Sequence, residues 1–131
     1  MIVLDTHVWI WYVSDPIQLS SKAAEYLEIG RKNGGLYISC ISAWEVALLV
    51  KKGRLRFTID VEDWISRTER LSFFKFVPVD NTIAVKSVHL PGFSNPDPAD
   101  RIIIATALHL GMPIVTKDEK LHSFKALKTI W

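Results

Sequence analysis

A chain of 131 residues that is 49% hydrophobic and 23% charged suits one folded domain and excludes disorder. No apolar run approaches the ~20 residues of a membrane-spanning helix, and a single cysteine, Cys40, excludes an internal disulfide. The net charge is only +2, but if four of the 14 acids cluster at one site, the other 10 face 16 Lys and Arg, leaving a surface excess of +6 that suits a polyanionic partner.

In chain order, MIVL (1–4) is an apolar run that reads as a buried strand ending in Asp5. The start MIVLDTH carries no basic segment and does not read as a signal peptide. With the lone cysteine it points to a reducing, cytoplasmic setting, where Cys40 is expected to be a buried packing thiol. THVWIWYVS (6–14) is a short helix closed by Asp15-Pro16. Its Trp9, Trp11 and Tyr12, at 100° per residue, cannot all face one core, so some surface aromatic is expected. Ser20 or Ser21 caps a helix that ends at Gly34-Gly35, and LYIS (36–39) is a second strand. SAWEVALLVKKG (42–53) is a helix in which Ser42 and Glu45 have capping-box spacing and Gly53 is the stop. A helix starting at Asp60 carries Trp64 into the core, and FKFVPV (74–79) contains a third strand. Asp80 or Asn81 opens a helix to about His89, and LPGFSNPD (90–97) is a loop. PADRIIIATALHLG (98–111) is the strongest helical pattern in the chain. PIVTKD (113–118) is a fourth strand ending in an acid, and KTIW (128–131) a short fifth. Strands alternating with helices predict a parallel sheet with helices on both faces, an α/β fold whose functional groups gather at the carboxyl ends of the strands.

Asp5 and Asp118 follow the first and fourth strands, and Glu45 and Asp100 lie in first turns of helices. Each can be read as a cap, because acids are favoured at helix starts. Asp97 and Asp100 separate on local grounds. Pro98 favours the first helical position, which makes Asp97 the N-cap. Asp100 then heads the stripe Ile103, Ile104, Ala107, Leu108 and points a carboxylate towards the core, which is costly without a cation or good hydrogen bonds. Four clustered carboxylates raise one another's pKa, and a divalent cation relieves the repulsion. Oxygen-only ligands suit Mg²⁺ or Mn²⁺; the four histidines (7, 89, 109, 122) are too scattered for a zinc site. Such a centre activates water against a phosphodiester.

The stretches VLDTHVWIW, ISAWEVALLVKKGRL, DPADRIIIATALHLG and PIVTKDEKL, in this order and across essentially the whole chain, resemble PIN-domain nucleases, and more narrowly VapC-type toxins of toxin–antitoxin pairs. The resemblance implies a three-layer α/β/α sandwich around a parallel sheet of four or five strands, in one domain spanning 1–131. It implies a Mg²⁺- or Mn²⁺-dependent RNA endonuclease with Asp5, Glu45, Asp100 and Asp118 as metal-binding acids, Asp118 being the weakest transfer. Thr6 and Thr116 match supporting polar positions. A neutralising antitoxin and a homodimer are implied as partners.

Among the basic residues, Arg101, Lys117 and Lys52 are candidate contacts to RNA phosphates, set against a role as solvated or helix-terminal charges. His7 reads as structural. Two other functions compete. An aspartyl-phosphate protein would want a second Asp where His7 stands, or paired acids after the first strand with Asp80 as nucleophile. A binding module with a degenerate site is disfavoured by the presence of all four acids.

Overall fold

The computed structural model describes all residues, Met1–Trp131. Five short strands form one sheet: β1 (Ile2–Leu4), β2 (Leu36–Ser39), β3 (Phe74–Val77), β4 (Ile114–Val115) and β5 (Thr129–Ile130). Every pairing is parallel and the order is β3-β2-β1-β4-β5, so β1 is central. Seven helices connect them: α1 (Thr6–Ser14), α2 (Ser21–Lys32), α3 (Cys40–Lys51), α4 (Val61–Glu69), α5 (Asn81–Val88), α6 (Pro98–Leu110) and α7 (Glu119–His122). This is the expected three-layer α/β/α arrangement.

The strand period of two divides the core. On β1, Ile2 and Leu4 join Val8, Trp9, Leu27, Val46 and Trp64 beneath α1 to α4. Val3, between them, points the other way into Ile103, Ile104, Ala107 and Leu121 beneath α6 and α7. A sheet covered on both faces reads as continuous apolar runs, as the first strand does.

Several local expectations change. The Ser42–Glu45 capping box does not form: β2 runs straight into α3, whose N-cap is Ser39, accepting from the Ile41 N–H at 3.2 Å. That start places Ser42 one turn inside the helix, fully buried. Cys40 is exposed rather than buried, because it opens α3 on the side away from the core. The fourth strand is two residues long, since Asp118 caps the extra short helix α7 instead of extending the sheet. A single 3-10 turn at Pro16–Gln18 also goes unforeseen. Of the α1 aromatics, Trp9 is fully buried, whereas Trp11 packs half-buried against Trp131, ring centroids 5.9 Å apart. Gly111 ends α6 in the left-handed region at φ 65°, a conformation that favours glycine. No helix is long and apolar enough to cross a membrane.

Candidate active site at the carboxyl edge of the sheet

The central strand delivers Asp5 to its carboxyl end, held there by the Asp5 N–H donating to Val115 O at 3.0 Å. Asp5 caps α1: its Oδ1 accepts the Thr6 N–H at 2.8 Å. Its Oδ2 accepts the Thr116 hydroxyl at 2.6 Å. The Thr116 oxygen in turn accepts the Asp118 N–H at 3.0 Å. One threonine at the end of β4 therefore ties together the acids of two neighbouring strands. Its own carbonyl is gripped by His122 Nε2 at 2.6 Å, while His122 Nδ1 meets the Thr129 hydroxyl at 2.8 Å.

A second threonine does the same on the other side. The buried Thr6 hydroxyl donates to Glu45 Oε1 at 2.5 Å and lies 2.8 Å from the Ser42 hydroxyl. Thr6 has one hydrogen to give, so with Glu45 ionised the Ser42 hydroxyl donates to Thr6. Asp100 comes from α6, a helix of the opposite layer that also contacts α3. Its Oδ2 accepts Asn95 Nδ2 at 2.8 Å. Asn95 Oδ1 also accepts the Asp97 N–H at 3.0 Å, so one side chain fixes the approach to α6 and orients the acid inside it.

Electrostatics join the four acids into one group. Burial pushes Glu45 up to about 7, with Asp5, Asp100 and Asp97 adding repulsion. Burial pushes Asp100 up to about 6, reinforced by Asp5, Asp97 and Asp118. Asp5 is raised mainly by burial, partly offset by the Thr116 and Thr6 hydrogen bonds. No lysine or arginine answers this charge: the ion pairs of the chain join Glu28 to Arg31 and Lys32, on α2. Nor do any three His, Cys, Asp or Glu side chains surround a common point as a ready-made ligand set. Asp5, Glu45 and Asp100 are desolvated, Asp118 adds to the repulsion on Asp5 and Asp100, and only His7, beside Asp5, offsets any of it.

The remaining sequence candidates fall into place around them. Asp97 caps α6, accepting the Asp100 N–H at 3.0 Å, and its side chain is exposed. Arg101, a candidate phosphate contact, has its guanidinium engaged internally. It donates to the carbonyls of Ser87 (2.8 Å), Phe93 (3.0 Å), Asn95 (3.0 Å) and Val88 (3.2 Å), clamping the loop before α6 to the end of α5. Lys117 is exposed, its ammonium 5.8 Å from the Trp11 ring centroid. Lys52 is exposed at the end of α3. Asp80, the nucleophile of the phosphotransfer alternative, caps α5 through the Ile83 N–H at 2.9 Å. Sequence reasoning missed Asn95 as the partner of Asp100, and Ser42 and His122 as the partners of Thr6 and Thr116. Only Asn95 left a signal, as a polar residue five positions before Asp100 in a Pro-bounded turn.

Comparison with known proteins gives the same picture. Residues 2–127 match the PIN domain. Ribonuclease VapC22 of Mycobacterium tuberculosis is 33% identical over 132 residues, covering 99% of this chain and 98% of that protein. Among solved structures, a toxin-antitoxin complex from Klebsiella pneumoniae is similar with TM-score 0.62 and 25% identity, covering 92% of this chain and 88% of that one. VapBC2 from Rickettsia felis, solved bound to a DNA fragment from its promoter, shares the fold with TM-score 0.70 at 18% identity, covering 98% of this chain and 97% of that one. With its parallel five-stranded sheet and its acids at the carboxyl edge, this chain belongs to the PIN-domain family and is of the VapC type.

Proposed function

We propose that this protein is a divalent-metal-dependent endoribonuclease and the toxin of a toxin–antitoxin pair. The observation that carries the metal dependence is three desolvated carboxylates, Asp5, Glu45 and Asp100, with Asp118 adding to the repulsion and no lysine or arginine paired with any of them. Oxygen donors of this kind fit Mg²⁺ or Mn²⁺. Asp5, Glu45, Asp100 and Asp118 would hold the cation, and none of them is needed as a nucleophile. Held there, such a cation would supply Lewis acidity towards a water and towards the charge developing on the phosphoryl oxygens.

The chain's own residues supply positioning. Thr6 and Thr116 fix the Glu45 and Asp5 carboxylates by donating one hydrogen bond to each. Ser42 and His122 hold the two threonines. Asn95 leaves Asp100 one oxygen free of side-chain partners. Exposed Lys52, Lys117 and Lys120 draw the polyanion towards an edge that its own acids make repulsive. Support for RNA as substrate comes from the name of the mycobacterial relative, and support for an antitoxin from the Klebsiella complex. We place the protein in the cytoplasm and as a homodimer, for which exposed Val85 and Val88 on α5 offer an apolar face.

Incubating the pure, antitoxin-free protein with structured RNA, total tRNA and ribosomes in Mg²⁺, Mn²⁺ or EDTA tests this reading. Cleavage in either metal and none in EDTA is expected. Cleavage that persists in EDTA removes the metal from the mechanism, and no cleavage of any substrate favours a binding module.

A further inference from the structure

We propose that Trp44 is a stacking platform for an unpaired nucleobase flanking the phosphate at the acidic edge. This rests on the ribonuclease reading and deepens it, from RNA in general to its single-stranded segments.

The five tryptophans do not share one environment. Trp9 and Trp64 are core residues packed on each other at a tilt of 41°, Trp64 is also stacked on Phe57, and Trp11 packs on Trp131. Trp44 has no aromatic neighbour and is 57% exposed, next in sequence to Glu45. It stands in a groove of about 270 Å³ that Glu45 also lines. Leu48 and Leu49, one turn further along α3, give the groove an apolar floor, and Pro98 at the start of α6 forms the facing wall. Lys52 and Arg54 also line it, neither in an ion pair, as does the exposed Asp97 on the side of the acids. An aromatic face, an apolar floor and two unpaired cations beside a phosphate-directed acid site match the parts of a single nucleotide: base, sugar and the next phosphate.

The opposite flank of the acids differs. A second groove, of about 310 Å³, lies beside Asn95 and carries Lys120 as its charged residue, with mostly small and polar walls. A polynucleotide crossing the acids therefore meets cations on both sides and an exposed aromatic on one. Stacking tolerates any base because each has a π-face, but in a duplex that face is already covered by neighbouring bases. The groove thus favours loops, bulges and ends, and makes the contact one-sided relative to the cleaved bond.

The test uses the full chain carrying Asp100→Asn, so that binding is read without cleavage. Binding of a fluorescein-labelled single-stranded RNA octamer and of its duplex is compared with and without Trp44→Ala or Trp44→Phe. Trp44→Ala is expected to weaken single-strand binding about tenfold, Trp44→Phe to retain most of it, and duplex binding to stay within about twofold. Melting temperature should not change, because the side chain is exposed. Equal single-strand affinity for parent and Trp44→Ala overturns the platform. So does an equal loss on duplex and single strand, or a parent that binds no RNA. If single-strand affinity is unchanged but Trp44→Ala loses its complex with the antitoxin, the face belongs to a protein partner. Wild-type cleavage, measured separately, decides the ribonuclease reading, so the two failures are distinguishable.

Discussion

The Asp97 carboxylate accepts the backbone N–H of Asp100 at 3.0 Å, so two acids three residues apart divide the labour at one helix start. Asp97 satisfies the helix and frees the Asp100 side chain to join Asp5, Glu45 and Asp118. Asp97→Ala should cost about 1 kcal/mol of stability, read by thermal melting, because an N–H at the start of α6 loses its partner. Asp97→Asn, still an acceptor, should melt close to wild type.

Thr6 is where burial, hydrogen bonding and charge meet. Thr6→Val keeps the shape but removes the hydroxyl between Ser42 and Glu45. A buried Ser42 hydroxyl then loses its side-chain partner, with an expected loss of about 1–3 kcal/mol. Glu45 loses the one hydrogen bond that lowers its pKa. RNA cleavage near pH 7 should fall roughly tenfold, and its pH profile should shift upwards. Thr6→Ser should restore both. A Thr6→Val protein with an unchanged pH profile would separate Thr6 from the site.

Glu45, raised from 4.5 to about 7, and Asp100, raised from 3.8 to about 6, make the stability depend on pH. A raised carboxyl pKa means that the folded chain binds more protons than the unfolded chain between these values. Stability is therefore greatest below about pH 4 for these two groups alone and is lost as pH rises through 6 and 7. Both side chains are partly exposed, so after solvent screening the combined effect is about 1–2 kcal/mol. In EDTA the melting temperature should be higher at pH 5.5 than at pH 7.5, and Glu45→Gln should flatten that difference. Added Mg²⁺ should stabilise more at pH 7.5 than at 5.5, since it competes with protons for the same carboxylates.

Arg101→Ala removes donors from four backbone carbonyls at once. Hydrogen bonds to a charged group are the stronger ones, and the expected cost is about 2–4 kcal/mol. Because the clamp holds the segment bearing Asn95, Mg²⁺ stabilisation should fall as well. Lys cannot reproduce the planar fork, so Arg101→Lys should recover less than half of the loss. A folded Arg101→Ala protein of wild-type stability that binds RNA weakly would return Arg101 to the phosphate-contact role.

The parallel sheet and the placement of Asp5 and Asp118 were legible because apolar runs end abruptly in acids, and a parallel sheet collects such ends on one edge; the strand order was not. Asp97 and Asp100 were separable from Pro98 and the helical period alone. The beginning of α3 was not legible. Ser42 and Glu45 have the spacing of a capping box, but β2 passes into the helix without a loop, so Ser39 takes the cap. The role of Arg101 also lay outside the sequence, because its four acceptors are carbonyls of the α5 end and the following loop, brought together only by tertiary packing. His122 was read as one of four scattered histidines, and its hold on Thr116 depends on the short helix α7.

The most direct test of the acid edge is RNA cleavage in Mg²⁺ by wild type, Asp97→Asn and Asp100→Asn, each shown to be folded by its melting curve. Asp97→Asn should cut within about threefold of wild type, and Asp100→Asn should lose at least about 10²-fold, the scale of one strong transition-state interaction. Equal activity in the two variants, or loss in Asp97→Asn with Asp100→Asn still cutting, would contradict the assignment of Asp100 to the metal.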